Sequence, residues 1–272
     1  MLPLFARAGA AMIPGASHLP FVGGGGREIP DLELALRDVG IDRDRLVAYD
    51  RVCEFGLRDA VPATYPHILA FPLQLSLMTD PAFPFGAIGL VHIANRITQH
   101  RPIRTGERLD LRVWATPVED HPRGKQFSLR TEVRVGNELV WEEVSTNLKR
   151  ASGSGSGSAA GADLPSAADL PATATWRLPG DLNPIHVHPL SARLFGFPSA
   201  IAHGMWTEAR CLAALEPRLP DAFTVQVAFK KPILLPGKVE FCEADAASGG
   251  IDFGVRDPVK GKSHLDGRVS FA

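Results

Sequence analysis

The sequence predicts an α+β protein made of two copies of one unit, each with a central helix followed by antiparallel strands. A strand, a Pro-Ile step, a turn and a second strand occur twice in the same order. The first copy runs through residues 91–97, then Pro102-Ile103 and 109–113. The second runs through residues 223–229, then Pro232-Ile233 and 239–241. The recurrence of this order indicates a duplicated fold.

A helical segment precedes each strand pair. The second helix is predicted to begin at His203-Gly204-Met205, because Met205, Ala209, Leu212 and Ala213 have the i, i+4, i+7, i+8 spacing of a helix that buries one face. Its counterpart begins at Tyr65-Pro66-His67 and runs to Met78, and a six-residue insertion follows near residues 80–85. Further strands are predicted from alternating patterns at 126–135, 139–148, 253–256 and 267–271.

A Gly/Ser-rich stretch at residues 151–158, followed by an Ala/Pro-rich run, separates the copies. Such a composition buries too little apolar surface to offset its ordering entropy. We therefore predict an N-terminal unit at 1–150, a flexible linker at 151–172 and a C-terminal unit at 173–272. The two units are expected to pack side by side as one continuous sheet or as a pseudo-dimer.

A glycine cluster at residues 23–26 precedes a segment with helix-like periodicity. The cluster lacks the lysine and Ser/Thr of a phosphate-binding loop and follows no clear strand. Phosphate binding is therefore not predicted for it.

The composition is that of an ordinary globular protein. Of the 272 residues, 45% are hydrophobic and 22% charged, and the net charge of −1 argues against nucleic acid as a partner. Three distant cysteines predict neither a disulfide framework nor a thiolate zinc site. The apolar N-terminus is interrupted by Pro3, Arg7 and Pro14, unlike a signal peptide, and no stretch is long enough to span a membrane. A cytoplasmic location is expected.

The candidate chemistry lies in Gly180-Asp181-Leu182-Asn183-Pro184-Ile185-His186. Asn183-Pro184 is a turn signal, so Asp181 and His186 can point into the same space. A carboxylate and an imidazole that converge on one water form a general acid/base pair. The segment therefore predicts an acid/base site.

Gly204 adds a possible oxyanion donor. It stands at a predicted helix start, where backbone N–H groups lack intrahelical partners, and the absence of a Cβ permits close approach of a carbonyl. His203 is either a polar residue at the helix start or a contributor to the same site. Together with the acid/base pair, this donor would serve the reversible hydration of an enoyl thioester.

These motifs, Gly180 to His186 and Ala202-His203-Gly204-Met205, resemble the MaoC-like, R-specific enoyl-CoA hydratase 2 family. The duplicated layout resembles the double-hot-dog 3-hydroxyacyl-thioester dehydratases. The resemblance implies two hot-dog units, with Asp181 and His186 as the catalytic dyad and Asn183 supporting their loop. It further implies that the Gly204 amide binds the thioester oxygen and that the N-terminal unit is catalytically silent and shapes the acyl tunnel. Which dyad member protonates C2 stays open.

The resemblance implies a substrate that is an acyl-CoA or an acyl-carrier-protein thioester, with no metal or redox cofactor. A homodimer and a monomeric pseudo-dimer are both compatible with the duplication. The alternatives are an acyl thioesterase and a non-catalytic acyl-thioester binder. A metal pair at His186 and His188 is disfavoured because no third ligand is evident. Lys230 and Lys231 would either meet a phosphate of the substrate or keep an edge strand soluble.

Overall fold

The computed structural model describes residues 26–87, 89–151, 163–178 and 200–271. Within these ranges, the first half of the chain has six strands and two helices, and the second half has five strands, one helix and a short 3₁₀ turn. The elements are β1 (Glu33–Gly40), α1 (Arg43–Cys53), α2 (Tyr65–Met78), β2 (Leu90–Gln99), β3 (Arg108–Ala115), β4 (Glu119–His121), β5 (Gly124–Val135), β6 (Glu138–Arg150), β7 (Ala172–Leu178), α3 (Gly204–Leu215), the 3₁₀ turn Glu216–Arg218, β8 (Phe223–Phe229), β9 (Gly237–Asp245), β10 (Ile251–Arg256) and β11 (Ser263–Phe271).

All the strands belong to one antiparallel sheet. Its order is β1-β3-β5-β6-β2-β8-β11-β10-β9-β7, with the short β4 paired to β5. The two halves join where β2 pairs with β8, in a register that runs from Ala94 opposite Ala228 to Gln99 opposite Phe223. The sheet is therefore continuous across the duplication.

The core lies between the sheet and the helices. The predicted stripe of α3 is buried: Met205 is 4% exposed, Ala209 0%, Leu212 1% and Ala213 8%. Helix α2 packs on β1, β3 and β5. One cluster of buried apolar side chains includes residues from both halves, so neither half closes its core alone.

The duplicated layout extends to the hydrogen bonds before each helix. Val61 N–H donates to the Ile103 carbonyl, and Ala202 N–H donates to the Ile233 carbonyl, each at 2.9 Å. An isolated antiparallel bridge accompanies each bond, Ala60 with Arg104 in the first half and Ile201 with Leu234 in the second. Each helix is thus tied at its start to the Pro-Ile step that follows the central strand of its own half.

The sequence after the glycine cluster has helix-like periodicity, but the structure forms strand β1 over Glu33–Gly40. Helix α1 begins only after this strand, at Arg43. Among the described residues, strand β1 pairs only with β3 at the edge of the sheet, and most of its side chains are exposed, so it carries little of the alternation that marks a strand. Helix α1 begins where the Asp42 carboxylate accepts hydrogen bonds from the amides of Asp44 and Arg45.

Some expectations from the sequence can be compared only with the residues that the structure describes. Cys53, Cys211 and Cys242 are buried free thiols. Among residues 26–87, 89–151, 163–178 and 200–271, no cluster of His, Cys, Asp and Glu could hold a metal ion. No helix in the same ranges is long and apolar enough to cross a membrane. The glycine cluster before Gly26 and half of the predicted linker, residues 152–162, lie outside the described residues.

Candidate functional site

Helix α3 begins with a backbone amide that is available for a ligand. The His203 imidazole caps the helix, because its Nδ1 accepts the Met205 N–H at 3.2 Å. The His203 carbonyl accepts the Thr207 N–H at 3.0 Å and the Thr207 hydroxyl at 3.1 Å. Within the described part of the chain no hydrogen bond engages the Gly204 N–H. A positive helix end with one uncommitted donor favours an oxygen that carries negative charge.

The space next to Gly204 is closed on one side by the Phe229 ring. A Cβ at Gly204 would lie 3.0 to 3.2 Å from three ring atoms of Phe229. The Phe229 ring also contacts His92 of the N-terminal half, with ring centroids 4.8 Å apart. Glycine is therefore required for close packing here, and the N-terminal half contributes to the wall of this site.

His92 is held as a neutral ring. Its Nε2 lies 2.9 Å from the Ser145 hydroxyl. Burial, with a smaller contribution from the charge of His67, lowers the pKa of His92 to about 4. At neutral pH it therefore packs on Phe229 without bringing a positive charge to the wall of the site.

The two ends of the segment that carries Asp181, Asn183 and His186 are held at one turn. Leu178, the last residue of β7, pairs with Gly237 at the start of β9. The Ala200 carbonyl accepts the Leu235 N–H at 2.8 Å. Leu178 and Ala200, which flank residues 179–199, therefore contact Gly237 and Leu235. These two partners are only two residues apart, where the β8–β9 connection meets β9.

The predicted dyad itself lies outside the described residues. Asp181, Asn183 and His186 belong to residues 179–199, as does His188 of the disfavoured metal pair. Their roles remain predictions. The structure describes Gly204 and His203 and places them at the start of α3, as the sequence indicates.

A buried carboxyl group lies one turn beyond Gly204 in the same helix. Glu208 is 0% exposed, and neither of its carboxyl oxygens has a hydrogen-bond partner among the described residues. Burial, together with the negative charge of Glu143, raises the pKa of Glu208 well above its ordinary value. The folded protein therefore favours the protonated form of Glu208 more strongly than the unfolded chain does.

The N-terminal half contains a buried polar cluster around Glu143, which is 1% exposed. One carboxylate oxygen of Glu143 lies 2.7 Å from the His67 Nδ1 and accepts the Asn95 amide at 2.7 Å. The other accepts the Gln74 amide at 3.1 Å. Burial disfavours the charged form, but His67 and Asn95 outweigh it and lower the pKa of Glu143. Glu143 is thus an ionised group satisfied inside the protein.

Helix α2 begins differently from α3, although both occupy the same place in their halves. The N–H of Tyr65, the first residue of α2 as Gly204 is the first residue of α3, donates to the Pro62 carbonyl at 2.8 Å. The next residue, Pro66, has no N–H. The Tyr65 side chain is 2% exposed. Within the described residues, the first two positions of α2 therefore offer no free backbone N–H.

Sequence reasoning did not single out Glu143, Gln74, Asn95 or Glu208. A signal existed in β6, where Glu143, Ser145 and Asn147 alternate on its buried face, so polar residues occupy positions that normally hold apolar ones. Glu208 gave a weaker signal, because a charged residue between Met205 and Leu212 also fits an exposed helix face.

The two lysines after β8 have different surroundings. The Lys230 ammonium lies 3.5 Å from a carboxylate oxygen of the largely buried Asp266. Lys231 is exposed, and its carbonyl oxygen lies 3.2 Å from the His264 Nδ1. Lys230 thus has a structural partner, whereas Lys231 faces solvent.

Comparison with known proteins identifies relatives of the whole chain. Residues 171–245 match the MaoC like domain. A curated relative, 3-hydroxyacyl-thioester dehydratase X of Mycobacterium tuberculosis, is 38% identical over 253 residues, which cover 89% of this chain and 90% of the relative.

Solved structures agree in fold. HtdX of M. tuberculosis superposes with a TM-score of 0.77 at 36% identity, covering 89% of this chain and 100% of that one. A MaoC-like dehydratase from Phytophthora capsici superposes with a TM-score of 0.70 at 18% identity, covering 90% of this chain and 96% of that one. The fold is therefore the predicted α+β double hot-dog, and the chain belongs to the MaoC-like dehydratase family.

Proposed function

We propose that this protein catalyses the reversible dehydration of (3R)-hydroxyacyl thioesters to trans-2-enoyl thioesters in fatty-acid metabolism. The observation that carries the proposal is the uncommitted Gly204 amide at the start of α3, beside the turn that holds both ends of the segment with Asp181 and His186. The name of the 38% identical relative describes the same class of reaction.

Each of these residues has its own role in the proposed reaction. The thioester carbonyl accepts a hydrogen bond from Gly204 N–H, which stabilises the negative charge that develops on that oxygen when the C2–H bond breaks. Asp181 and His186 exchange the C2 proton and the proton that the C3 hydroxyl needs to leave as water. In the reverse direction the same pair activates a water for addition at C3. Asn183 supports the loop, and His203 fixes the start of the helix through its bond to Met205.

The N-terminal half is proposed to be catalytically silent. The first two positions of its helix offer no free backbone N–H within the described residues, since Tyr65 donates to Pro62 and Pro66 has no N–H. It contributes instead the His92 ring that supports Phe229 beside Gly204, and it shapes the space for the acyl chain.

The remaining parts of the proposal follow the family. The substrate is an acyl thioester of CoA or of acyl carrier protein, and the reaction uses no metal and no redox cofactor. The protein acts in the cytoplasm, either as a homodimer or as a monomer whose two halves form the pseudo-dimer.

The test follows the enoyl-thioester absorbance during hydration of crotonyl-CoA and of a longer enoyl-CoA. Asp181→Asn and His186→Ala are each expected to lower the rate by about a hundredfold or more, as loss of an acid/base group does. Asp169→Asn and His188→Ala are the matched controls and should retain the rate. An equal loss in His186→Ala and His188→Ala would instead favour a metal pair and contradict the dyad.

Two alternatives give different results in the same experiment. A thioesterase would release free thiol from a 3-hydroxyacyl-CoA without interconverting it with the enoyl thioester. A non-catalytic binder would bind the thioesters and leave both the absorbance and the thiol concentration unchanged. Hydration without thiol release is the result expected here.

A further inference from the structure

The strands of the C-terminal half place the Gly204 site at one end of their sheet. Strands β8, β11, β10, β9 and β7 are neighbours in antiparallel order, so the last residues of β8, β10 and β7 lie beside the first residues of β11 and β9. Phe229, the last residue of β8, lies against Gly204 at this end. Leu178 and Ala200, which flank the segment with the predicted dyad, bond to the start of β9 and to the connection before it. A partner that docks at this end therefore lies beside the site.

Five exposed cations occupy this end of the sheet. Each belongs either to the terminal residues of a strand or to a connection between two strands: Arg177, Lys231, Lys238, Lys260 and Lys262. None of the five forms an ion pair with another residue that the structure describes. We refer to these five residues as the basic end.

The acidic side chains among these strand ends do not cancel the charge of the basic end. Glu240 is paired with Arg256 at 2.9 Å and Asp266 with Lys230 at 3.5 Å, so each of these carboxylates is balanced by a cation outside the basic end. Asp257 also lies there, and its carboxylate accepts two backbone N–H groups of the turn after β10 at 2.8 Å each. Asp257 offsets one of the five cations, so the basic end keeps a positive excess within the described part of the chain.

Two of these cations face each other in the sheet. In the ladder between β7 and β9, Arg177 lies directly opposite Lys238. Like charges at directly opposite positions of an antiparallel pair are destabilising. The neighbouring Trp176 faces α3, where the Arg210 guanidinium lies 4.7 Å from its ring, so Arg177 is on the outer face of the sheet. An anionic partner on this outer face would relieve the repulsion.

The opposite end of the same strands has a different charge pattern. Its two arginines are both paired, Arg218 with Glu243 and Asp245, and Arg268 with Asp252. The whole chain has a net charge of −1. The positive excess is therefore a local property of the end that carries the Gly204 site.

The width of the basic end favours a protein over a nucleotide as its partner. From β8 to β7 the sheet takes four steps of about 4.8 Å, so the cations are spread over about 19 Å. CoA carries its phosphates on a single nucleotide, which would engage only part of this width. The acidic surface of a carrier protein would engage all of it, and complementary charge speeds encounter and fixes orientation.

We propose that the basic end is the docking surface for an acidic carrier protein that delivers the acyl thioester on a flexible arm, so that acyl carrier protein rather than CoA is the preferred thiol. The arm passes Phe229 and brings the thioester to Gly204. The choice of carrier rests on the proposed function, because it assumes that an acyl thioester reacts at the Gly204 site.

Steady-state hydration by the full chain tests the proposal with the crotonyl thioesters of acyl carrier protein, of CoA and of pantetheine, the last of which has neither phosphate nor protein. Lys231→Glu combined with Lys262→Glu should raise KM for the carrier-protein thioester by about tenfold or more at unchanged kcat. KM for the other two thioesters should stay within about twofold. Arg37→Glu, on the far edge strand β1, is the control and should change none of the three.

A second variant separates docking from folding. Lys238→Glu places opposite charges across the ladder at Arg177, so the melting temperature should not fall, whereas KM for the carrier-protein thioester should rise. Salt provides an independent check. Raising it from about 0.1 M to about 1 M shortens the screening length from about 10 Å to about 3 Å and should raise KM for the carrier-protein thioester more than for the pantetheine thioester.

Two results would overturn the docking surface. An equal rise in KM for the CoA and carrier-protein thioesters would mean that the cations bind phosphate, and an unchanged KM for both would mean that they bind neither. Calorimetric titration with unloaded acyl carrier protein separates this proposal from the proposed function. Binding that Lys231→Glu with Lys262→Glu weakens, in a protein that hydrates none of the three thioesters, would overturn the dehydratase and leave the docking surface in place. Hydration of crotonyl-CoA without binding of the carrier protein would do the reverse.

Discussion

Replacing Glu208 by Gln should make the protein less sensitive to rising pH. Glu208 is 0% exposed, its carboxyl oxygens are unpaired among the described residues, and burial with the charge of Glu143 raises its pKa above the ordinary 4.5. Below the pKa that Glu208 has in the unfolded chain, the carboxyl group is protonated in both the folded and the unfolded state. In that range Glu208 therefore makes no pH-dependent contribution to the free energy of unfolding. Above it the unfolded chain releases the proton while the folded chain keeps it, and the stability of the wild type falls until the folded pKa is reached.

The size of the effect follows from this linkage. One proton of difference changes the free energy of unfolding by about 1.4 kcal/mol per pH unit. Glutamine has a similar shape and no titrating proton, so its cost of burial is a constant offset. The difference in unfolding free energy between Glu208→Gln and wild type should therefore shift in favour of the variant as the pH rises above the pKa of the unfolded chain, by up to about 1.4 kcal/mol per pH unit.

Urea denaturation of both proteins at half-unit steps from pH 4 to pH 8 measures this slope. Glu119→Gln, at an exposed position of β4, is the control, and its difference from wild type should stay flat with pH. Parallel curves for wild type and Glu208→Gln across this range would refute the reasoning, because they would mean that Glu208 ionises in the folded protein as it does in the unfolded chain.

Three further changes have definite expected results. Glu143→Gln replaces a buried carboxylate that accepts hydrogen bonds from the Asn95 and Gln74 amides and should lower the free energy of unfolding by about 1.5 to 3 kcal/mol in urea denaturation, whereas the half-exposed neighbour Glu142→Gln should change it by less than about 1 kcal/mol. Gly204→Ala adds a Cβ against an aromatic ring and should reduce enoyl-CoA hydration by about ten- to a hundredfold in steady-state assays, whereas Gly106→Ala, with open space around it, should retain the rate. Trp141→Phe removes the indole donor to a buried backbone carbonyl at 2.7 Å and should cost about 1 to 3 kcal/mol by the same denaturation measurement, so an unchanged midpoint would contradict that bond's role.

Much of the fold could be predicted because its central elements have strong periodicity. Helix α3 and strands β2 and β8 bury one or both faces, so burial leaves a clear pattern in the sequence. Edge strands β1 and β7 escaped prediction because they pair on one side only and expose most of their side chains. Packing places little constraint on exposed side chains, so the sequences of these two strands show little of the alternation that predicts a strand.

The candidate site was predictable only in part, for a different reason. A turn signal and a helix start are local features, so Asp181, His186 and Gly204 could be proposed from their own neighbourhoods. The wall of the site could not, since His92 and Phe229 are distant in sequence and meet through the pairing of β2 with β8. The buried pairing of Glu143 with His67 is likewise a tertiary contact without a local signal.

The junction between β2 and β8 has a consequence for how the chain can be divided. Six residue pairs of a central ladder join the halves, and further bonds cross between them, such as that from the Trp206 indole to the Val52 carbonyl at 3.0 Å. The peptide link at residues 152–162 is therefore not what unites them. Two separately expressed polypeptides that end and begin within that stretch should assemble into a heterodimer with the same sheet.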